Sequence, residues 1–142
     1  NNKEAVSLAY SGNIVDLWEK IVKRNIDVEI GSDQTSLHNP WSGGYYPAGL
    51  SFEESNKMIS NNPEQFKIEV QNSLKRHVKA VKTLCKKGMY FFDYGNAFFL
   101  ESKRAGANIT DGLRNVALGD NSLYTTNSVL IRLVDYSKRT SC

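Results

Sequence analysis

Three short apolar runs, each followed at once by a polar or glycine-containing group, constrain the fold of this chain more than any other feature. The runs cover residues 5–10, 28–30 and 89–92. Between the first two runs, apolar residues recur at helical spacing, so this part of the chain is typical of a strand, a helix and a second strand. Such crossovers are right-handed and join parallel strands. The pattern predicts an α/β fold, with a parallel sheet and flanking helices.

Two helices are marked by their capping residues. The first, from Ile14 to Val22, follows a Gly-Asn pair that can cap it and can close at Asn25. The second starts at Ser51, because Glu54 three residues later completes a capping box.

Two more helices flank the third apolar run. One begins at Pro63, a residue suited to a first helical turn, and stops at Gly88. The other runs from Ala97 to Ala105 and stops at Gly106. The apolar stripe of the long helix consists of Phe66, Val70, Leu74, Val78, Val81 and Cys85. The run 89–92 between these helices predicts a central strand that is buried on both faces. Past residue 109 the signals weaken, and residues 129–136 fit a strand or a helix.

Each predicted strand ends in polar residues that could form a site. These groups are Gly12-Asn13, the run Gly31 to His38, and residues 93–96. If the strands are parallel, the three groups meet at the carboxyl edge of one sheet, where open α/β sheets bind ligands. Amide, hydroxyl and backbone N–H groups suit a ligand rich in hydroxyls, phosphates and amides. Tyr45, Tyr46 and Tyr94 could stack on a flat ring, so a nucleotide-like cofactor fits.

Ordinary structural roles compete with these interpretations. Taken alone, Gly12-Asn13 is better explained as a helix cap, and the run from Gly31 is balanced between a turn and a site. His38 near Asp33 could serve acid–base chemistry, although a histidine that orders its loop explains the pair better. His77 lies among the lysines of the long helix and is predicted to be a solvated residue.

Composition excludes several classes of protein. The net charge of +3, without a basic or acidic tail, gives little support for a nucleic-acid partner. No apolar run approaches the length of a membrane span. The two cysteines, Cys85 and Cys142, make neither a disulfide framework nor a zinc pattern, so we expect no metal and a reduced, cytoplasmic protein. P-loop, G-x-S-x-G, H-E-x-x-H and G-x-G-x-x-G motifs are all missing from the sequence.

From about Val6 to about Ile109 the sequence resembles the urocanase (urocanate hydratase) family. The specific segments are GNIVDLWE at 12–19, GSDQTSLHNP at 31–40, GGYYP at 43–47, FFDYGNA at 91–97 and RAGA at 104–107. The resemblance implies a hydro-lyase of histidine degradation that adds water to urocanate, giving imidazolone propionate, with tightly bound NAD+ as an electrophile. It also implies a Rossmann-like NAD-binding domain and a homodimer.

The resemblance also assigns cofactor contacts to residues of this sequence. They are Asn13, Ile14, Gln34, Thr35, Ser36, Leu37, His38, Tyr45, Tyr46 and Tyr94. Apart from Ile14, these residues belong to the polar groups and tyrosines that the strand-end argument selects independently. No catalytic residue is assigned, and Cys142 does not stand in the context of the family's reactive cysteine.

The family's glycine-rich phosphate loop, reactive cysteine and substrate-binding arginines have no counterparts in the sequence. We therefore expect residues 1–109 to be the later part of an incomplete NAD-binding domain with the return to a core domain, and residues 110–142 to be an unmatched tail. On this interpretation the chain is a portion of a urocanate hydratase and is inactive alone. The alternative is a truncated, non-catalytic isoform or paralogue that binds a nucleotide weakly or binds a partner.

Overall fold

The structure, a computed structural model, describes residues 5–33, 37, 39–94, 97–109 and 113–116, with the backbone alone for Tyr94 and 113–116. Within them, a parallel sheet has the order β1-β2-β3. The strands are β1 (Ile30–Asp33), β2 (Tyr90–Tyr94) and β3 (Leu113–Val116). The helices are α1 (Ile14–Lys23), α2 (Phe52–Asn61), α3 (Pro63–Lys86) and α4 (Ala97–Arg104), and a 3-10 turn spans Pro40–Ser42. The predicted α/β fold with a parallel sheet is confirmed.

Residues 5–10 do not form the strand that the sequence pattern predicts. They have no regular secondary structure, and the side chains of Val6 and Leu8 are 71% and 93% exposed. Alternating apolar residues favour an extended backbone, but a strand also needs a neighbour that supplies its hydrogen bonds. This prediction is therefore wrong for the described structure.

Helices α1, α3 and α4 end in the same way. Each is followed by a residue with positive φ, namely Asn25 at 52°, Gly88 at 110° and Gly106 at 81°. The next N–H in the chain bonds back to a carbonyl of the last turn, which is the Schellman arrangement. These bonds are Ile26 N–H to Ile21 O (3.1 Å), Met89 N–H to Leu84 O (3.1 Å) and Ala107 N–H to Ser102 O (2.9 Å). All three predicted stops are confirmed.

The predicted starts of α2 and α3 are also confirmed. The Ser51 hydroxyl accepts the Glu54 N–H at 3.2 Å, and the Glu54 carboxylate accepts the Ser51 N–H at 2.8 Å. At α3, Pro63 occupies the first turn, and the side chain of Asn62 accepts the Gln65 N–H at 3.2 Å. Both caps satisfy backbone groups that the helix itself leaves unpaired.

The core lies between α3 and one face of the sheet. Phe91 is fully buried on that face, where its ring meets Trp18 of α1 at a centroid distance of 6.3 Å and Phe98 of α4 at 5.5 Å. The predicted stripe of α3 is buried, with Phe66, Val70, Leu74 and Val81 at 0% exposure, Val78 at 3% and Cys85 half-buried. The stripe and Phe91 fix the helices against the sheet.

Strand β2 is central, as predicted, but it is not buried on both faces. Phe91 and Asp93 point towards the helices and are 0% and 1% exposed, whereas Tyr90 and Phe92 on the other face are half-buried. Ile30 of β1, in register with Tyr90, is 49% exposed. An unbroken apolar run predicts a strand, but it does not say which face the rest of the molecule covers.

Strand β3 lies in the region where the sequence signals weaken and was not predicted. It pairs with β2 through the register Phe91 to Leu113 and Tyr94 to Val116. The ambiguous stretch at 129–136 lies outside the described residues.

Candidate functional site

Strands β1 and β2 bring two of the three polar groups to one edge of the sheet. They are parallel, and Asp33 at the end of β1 is in register with Asp93 of β2. The end of β1 therefore lies beside the end of β2, whose last residue is Tyr94. The predicted parallel pairing of these two strands, with their carboxyl ends at one edge, is confirmed. Leu37 is the one residue of 34–38 that the structure describes, and its side chain is buried in the core at 2% exposure.

Asp93 ties the end of β2 to the start of α4. Its carboxylate is 1% exposed and accepts the backbone N–H of Phe99 at 2.9 Å. A carboxylate at a helix N-terminus is stabilised by the free N–H groups of the first turn. This contact fixes the direction in which the chain leaves β2, after Tyr94. The sequence marked Asp93 only as part of a polar group, not as a buried anchor.

The glycine-rich loop after β1 folds back over the start of α1. The turn Pro40–Ser42 ends at Gly43, whose φ of 91° suits a residue without a side chain. The N–H of Gly44 closes the loop on Asn39 O at 3.0 Å. Residues 43–47, which we call the tyrosine loop, then pass beside α1 and α3.

Asn13 links the tyrosine loop to α1. Its side-chain oxygen accepts the Val15 N–H at 2.9 Å, and its amide nitrogen donates to the carbonyl of Tyr46 at 2.8 Å. The capping role that the sequence favoured is thus present, and the same side chain also holds a loop 33 residues away. Ile14 follows as the first residue of α1 and is half-buried. Asn13 and the two tyrosines of the loop therefore form one bonded unit.

The two tyrosines of the loop differ in their surroundings. Tyr45 is 3% exposed, and its hydroxyl is 3.2 Å from His77 Nδ1. Burial and the nearby Asp33 raise the pKa of Tyr45, so it remains a neutral phenol. Tyr46 is half-buried, donates to the Asn56 side chain at 2.9 Å and packs on Phe52 at 5.3 Å between centroids. Tyr46 therefore has the more accessible ring.

The prediction of a solvated His77 is wrong. The residue is 0% exposed, and burial lowers the pKa of His77 from 6.5 to about 3, which keeps the ring neutral. Its ring meets Phe98 at 4.6 Å in an edge-to-face contact. The helical period held the missed signal, because His77 follows Leu74 by three residues and Val70 by seven, on the apolar stripe of α3.

The remaining predicted site residues are only partly described. Gln34, Thr35, Ser36 and His38 lie outside the described residues, and so does the proposed pairing of His38 with Asp33. Tyr94 is described as backbone at the end of β2. Among the described residues, no group of three or more histidine, cysteine, aspartate or glutamate side chains could hold a metal ion.

A parallel sheet with helices between its strands, and polar loops at its carboxyl edge, defines a Rossmann-like α/β domain. The urocanase Rossmann-like domain model matches residues 1–119, which reaches beyond Ile109. The chain belongs to the urocanase family.

Three relatives illustrate the match. The chain is 57% identical over 121 residues to a Caenorhabditis elegans protein described as a probable urocanate hydratase, covering 84% of this chain and 18% of that protein. Identity to the mouse urocanate hydratase is 53% over 112 residues, and to the human one 50% over 113 residues. Each of these two matches covers 75% of this chain and 17% of the relative. The chain thus spans less than a fifth of the length of these relatives.

Among the described residues, no helix is both long enough and apolar enough to cross a bilayer.

Proposed function

We propose that this chain contributes the NAD+-binding edge of a urocanate hydratase, which adds water to urocanate and gives imidazolone propionate. The observation that carries the proposal is the parallel register of Asp33 with Asp93, which brings the ends of β1 and β2 together. Membership of the urocanase family supplies the reaction. The complete enzyme is proposed to be a cytoplasmic homodimer in the breakdown of histidine.

The residues at this edge fit such a cofactor. Ser32, one residue before the end of β1, has a buried hydroxyl without a hydrogen-bond partner in the described part of the chain. Tyr46 offers a half-buried ring, and Asn13 can make one more bond from each end of its amide. Hydroxyl, amide and aromatic groups suit the ribose hydroxyls, the carboxamide and the flat rings of a dinucleotide.

The cofactor contacts are proposed to fall into two groups. The first group would bind the cofactor directly. It consists of four residues that follow β1 and four from elsewhere: Gln34, Thr35, Ser36 and His38, and Asn13, Ile14, Tyr46 and Tyr94. Leu37 and Tyr45 are 2% and 3% exposed, so we assign them the support of the loop from behind. Bound NAD+ would supply an electrophilic nicotinamide that activates the imidazole ring of urocanate towards water. This chain would hold and orient that ring system.

The carboxylate of the substrate needs a cation, and none of the three arginines whose side chains are described is well placed to supply it. Arg24 is the C-cap of α1, at the opposite end of that helix from Asn13. Arg76 is paired with Glu19 at 2.8 Å, and Arg104 with Glu101 at 2.6 Å. We therefore propose that residues outside the described ones bind the carboxylate, and that the 142-residue chain alone does not hydrate urocanate. The activity belongs to the complete protein, and experiments on it use that protein.

Gln34→Ala in the complete protein tests the proposed site, with Gln65→Ala on α3 as the matched control. Loss of one neutral hydrogen bond costs about 0.5–1.5 kcal/mol, so we expect a few-fold weaker NAD+ affinity and an unchanged melting temperature. Gln65→Ala should leave NAD+ affinity unchanged, because Gln65 bonds Glu69 within α3. Affinity is measured by titration, and turnover by the loss of urocanate absorbance.

Two outcomes would contradict the proposal. A complete wild-type protein that neither retains NAD+ nor consumes urocanate would refute the function. A large fall in melting temperature with NAD+ still bound to Gln34→Ala would mean that Gln34 is a structural residue.

A further inference from the structure

His77 lies between the two chain segments that leave the carboxyl edge of the sheet. Its Nδ1 is 3.2 Å from the hydroxyl of Tyr45, which belongs to the tyrosine loop after β1. Its ring packs edge-to-face on Phe98, in the first turn of the helix that follows β2. One buried side chain of α3 thus contacts both segments.

A histidine is a costly residue for this position. The ring is fully buried, and its Nε2 has no hydrogen-bond partner among the described residues. A buried polar atom without a partner is destabilising, and an apolar side chain of the same shape would avoid that cost. The benefit of His77 must therefore come from what its bonded nitrogen holds in place, which is the hydroxyl of Tyr45.

The contacts of His77 continue on both sides towards the predicted cofactor residues. Tyr45 precedes Tyr46, which Asn13 binds at its carbonyl (2.8 Å) and whose own hydroxyl bonds Asn56 (2.9 Å). On the other side, Phe98 precedes Phe99, whose N–H is bonded by Asp93 at the end of β2. The placement of His77 therefore bears on Tyr46 and on the residues around Tyr94.

We propose that His77 is a positioning residue of the cofactor site, which holds the tyrosine loop through Tyr45 against the start of α4. The inference rests on the proposed function, because it assumes that the carboxyl edge binds NAD+. His77 does not itself touch the cofactor, and it acts through Tyr45. A role confined to core packing would affect stability alone, whereas a positioning role affects NAD+ affinity.

A double-mutant cycle in the complete protein tests the proposal, with Tyr45→Phe, His77→Phe and the double variant. Tyr45→Phe removes only the hydroxyl. We expect each single variant to bind NAD+ about threefold to tenfold less tightly than the wild type. The double variant should bind NAD+ as tightly as the more affected single variant, because both substitutions break the same contact. Val81→Ala, a buried residue one turn further along α3, is the control for a purely structural loss. It should lower the melting temperature and leave NAD+ affinity unchanged.

The outcomes separate the two proposals. If the wild-type protein binds NAD+ and Tyr45→Phe binds NAD+ with an affinity within about twofold of the wild type, the positioning role is overturned and the proposed function stays intact. Wild-type protein that does not bind NAD+ would overturn both. If His77→Phe does not fold, Tyr45→Phe alone decides the question.

Discussion

The two faces of the central strand β2 differ more in burial than in the types of residue they carry. Tyr90, Phe91 and Phe92 are three consecutive aromatic residues, yet Phe91 is fully buried and its neighbours are half-buried. Alternation places Phe91 and Asp93 towards α1, α3 and α4, and Tyr90 and Phe92 away from them. Stability therefore comes mainly from the helix-covered face.

The largest expected effect is the loss of the Phe91 ring. Phe91→Ala should destabilise the protein by about 3–5 kcal/mol, because the cavity would lie between Trp18, Phe98 and Phe99. Phe92→Ala, the matched change on the other face, should cost less than about 2 kcal/mol, since Phe92 is half-buried. Denaturant unfolding of both variants measures the difference. Equal losses would show that the two faces are equally buried and would break the comparison.

A methyl group added at Gly31 should also be harmful, because Gly31 lies beside Phe91 on the covered face. An added Cβ would lie 3.0 Å from Trp18, 3.1 Å from Phe91 and 3.2 Å from the sulfur of Met89. Overpacking of this kind costs about 1–3 kcal/mol. Ser32→Ala, the next residue and on the other face, should not lower the free energy of unfolding, since its buried hydroxyl has no partner among the described residues. Equal losses at Gly31 and Ser32 would contradict this assignment of faces.

Acid should weaken the covered face through His77. Its pKa is about 3 in the folded chain against 6.5 for an ordinary histidine, so the unfolded state binds more protons between these values. The free energy of unfolding is therefore highest above pH 6.5 and falls as the pH drops towards 3. The fall is about 1 kcal/mol between pH 6.5 and 5.5. His77→Phe should remove this part of the pH dependence, as thermal unfolding at each pH would show. If the free energy of unfolding of His77→Phe depends on pH as steeply as that of the wild type, groups other than His77 take up the protons.

The smallest expected effect lies at the outer surface of the helix layer. Arg76 of α3 makes two hydrogen bonds to the Glu19 carboxylate of α1, at 2.9 and 2.8 Å, which lower the pKa of Glu19. Both side chains are more than 40% exposed, so Arg76→Gln should cost only about 0.5 kcal/mol. The loss should shrink further in high salt, and a loss above about 2 kcal/mol would mean that the pair acts as a buried one.

Local rules determined most of the helices from the sequence. The caps at Asn13 and Ser51, the start at Pro63 and the stops at Asn25 and Gly88 depend on neighbouring residues, and those neighbours are visible in the sequence. The same reasoning failed for residues 5–10, because a strand depends on a partner elsewhere in the chain.

The sequence predicted which strand ends meet, but not the contacts around them. Parallel strands bring Asp33 and Asp93 together, and this follows from the order of the elements. The burial of Tyr45 against His77 depends on tertiary packing over 32 residues of sequence, which composition does not reveal. The neighbouring lysines predict a solvated His77, but its place on the apolar stripe of α3 decides its burial.

Hydrogen exchange of the complete protein, with and without NAD+, tests the central claim most directly, because the sheet has two edges. The amino edge has a crevice of about 160 Å³, lined by Ile26, Asp27, Val28, Glu29, Leu84, Lys87 and Gly88. If the carboxyl edge holds the cofactor, NAD+ should slow exchange in residues 34–47 and 94–97 and leave residues 26–29 and 87–88 unchanged. Protection of the amino-edge crevice, with no change after β1 and β2, would contradict the account.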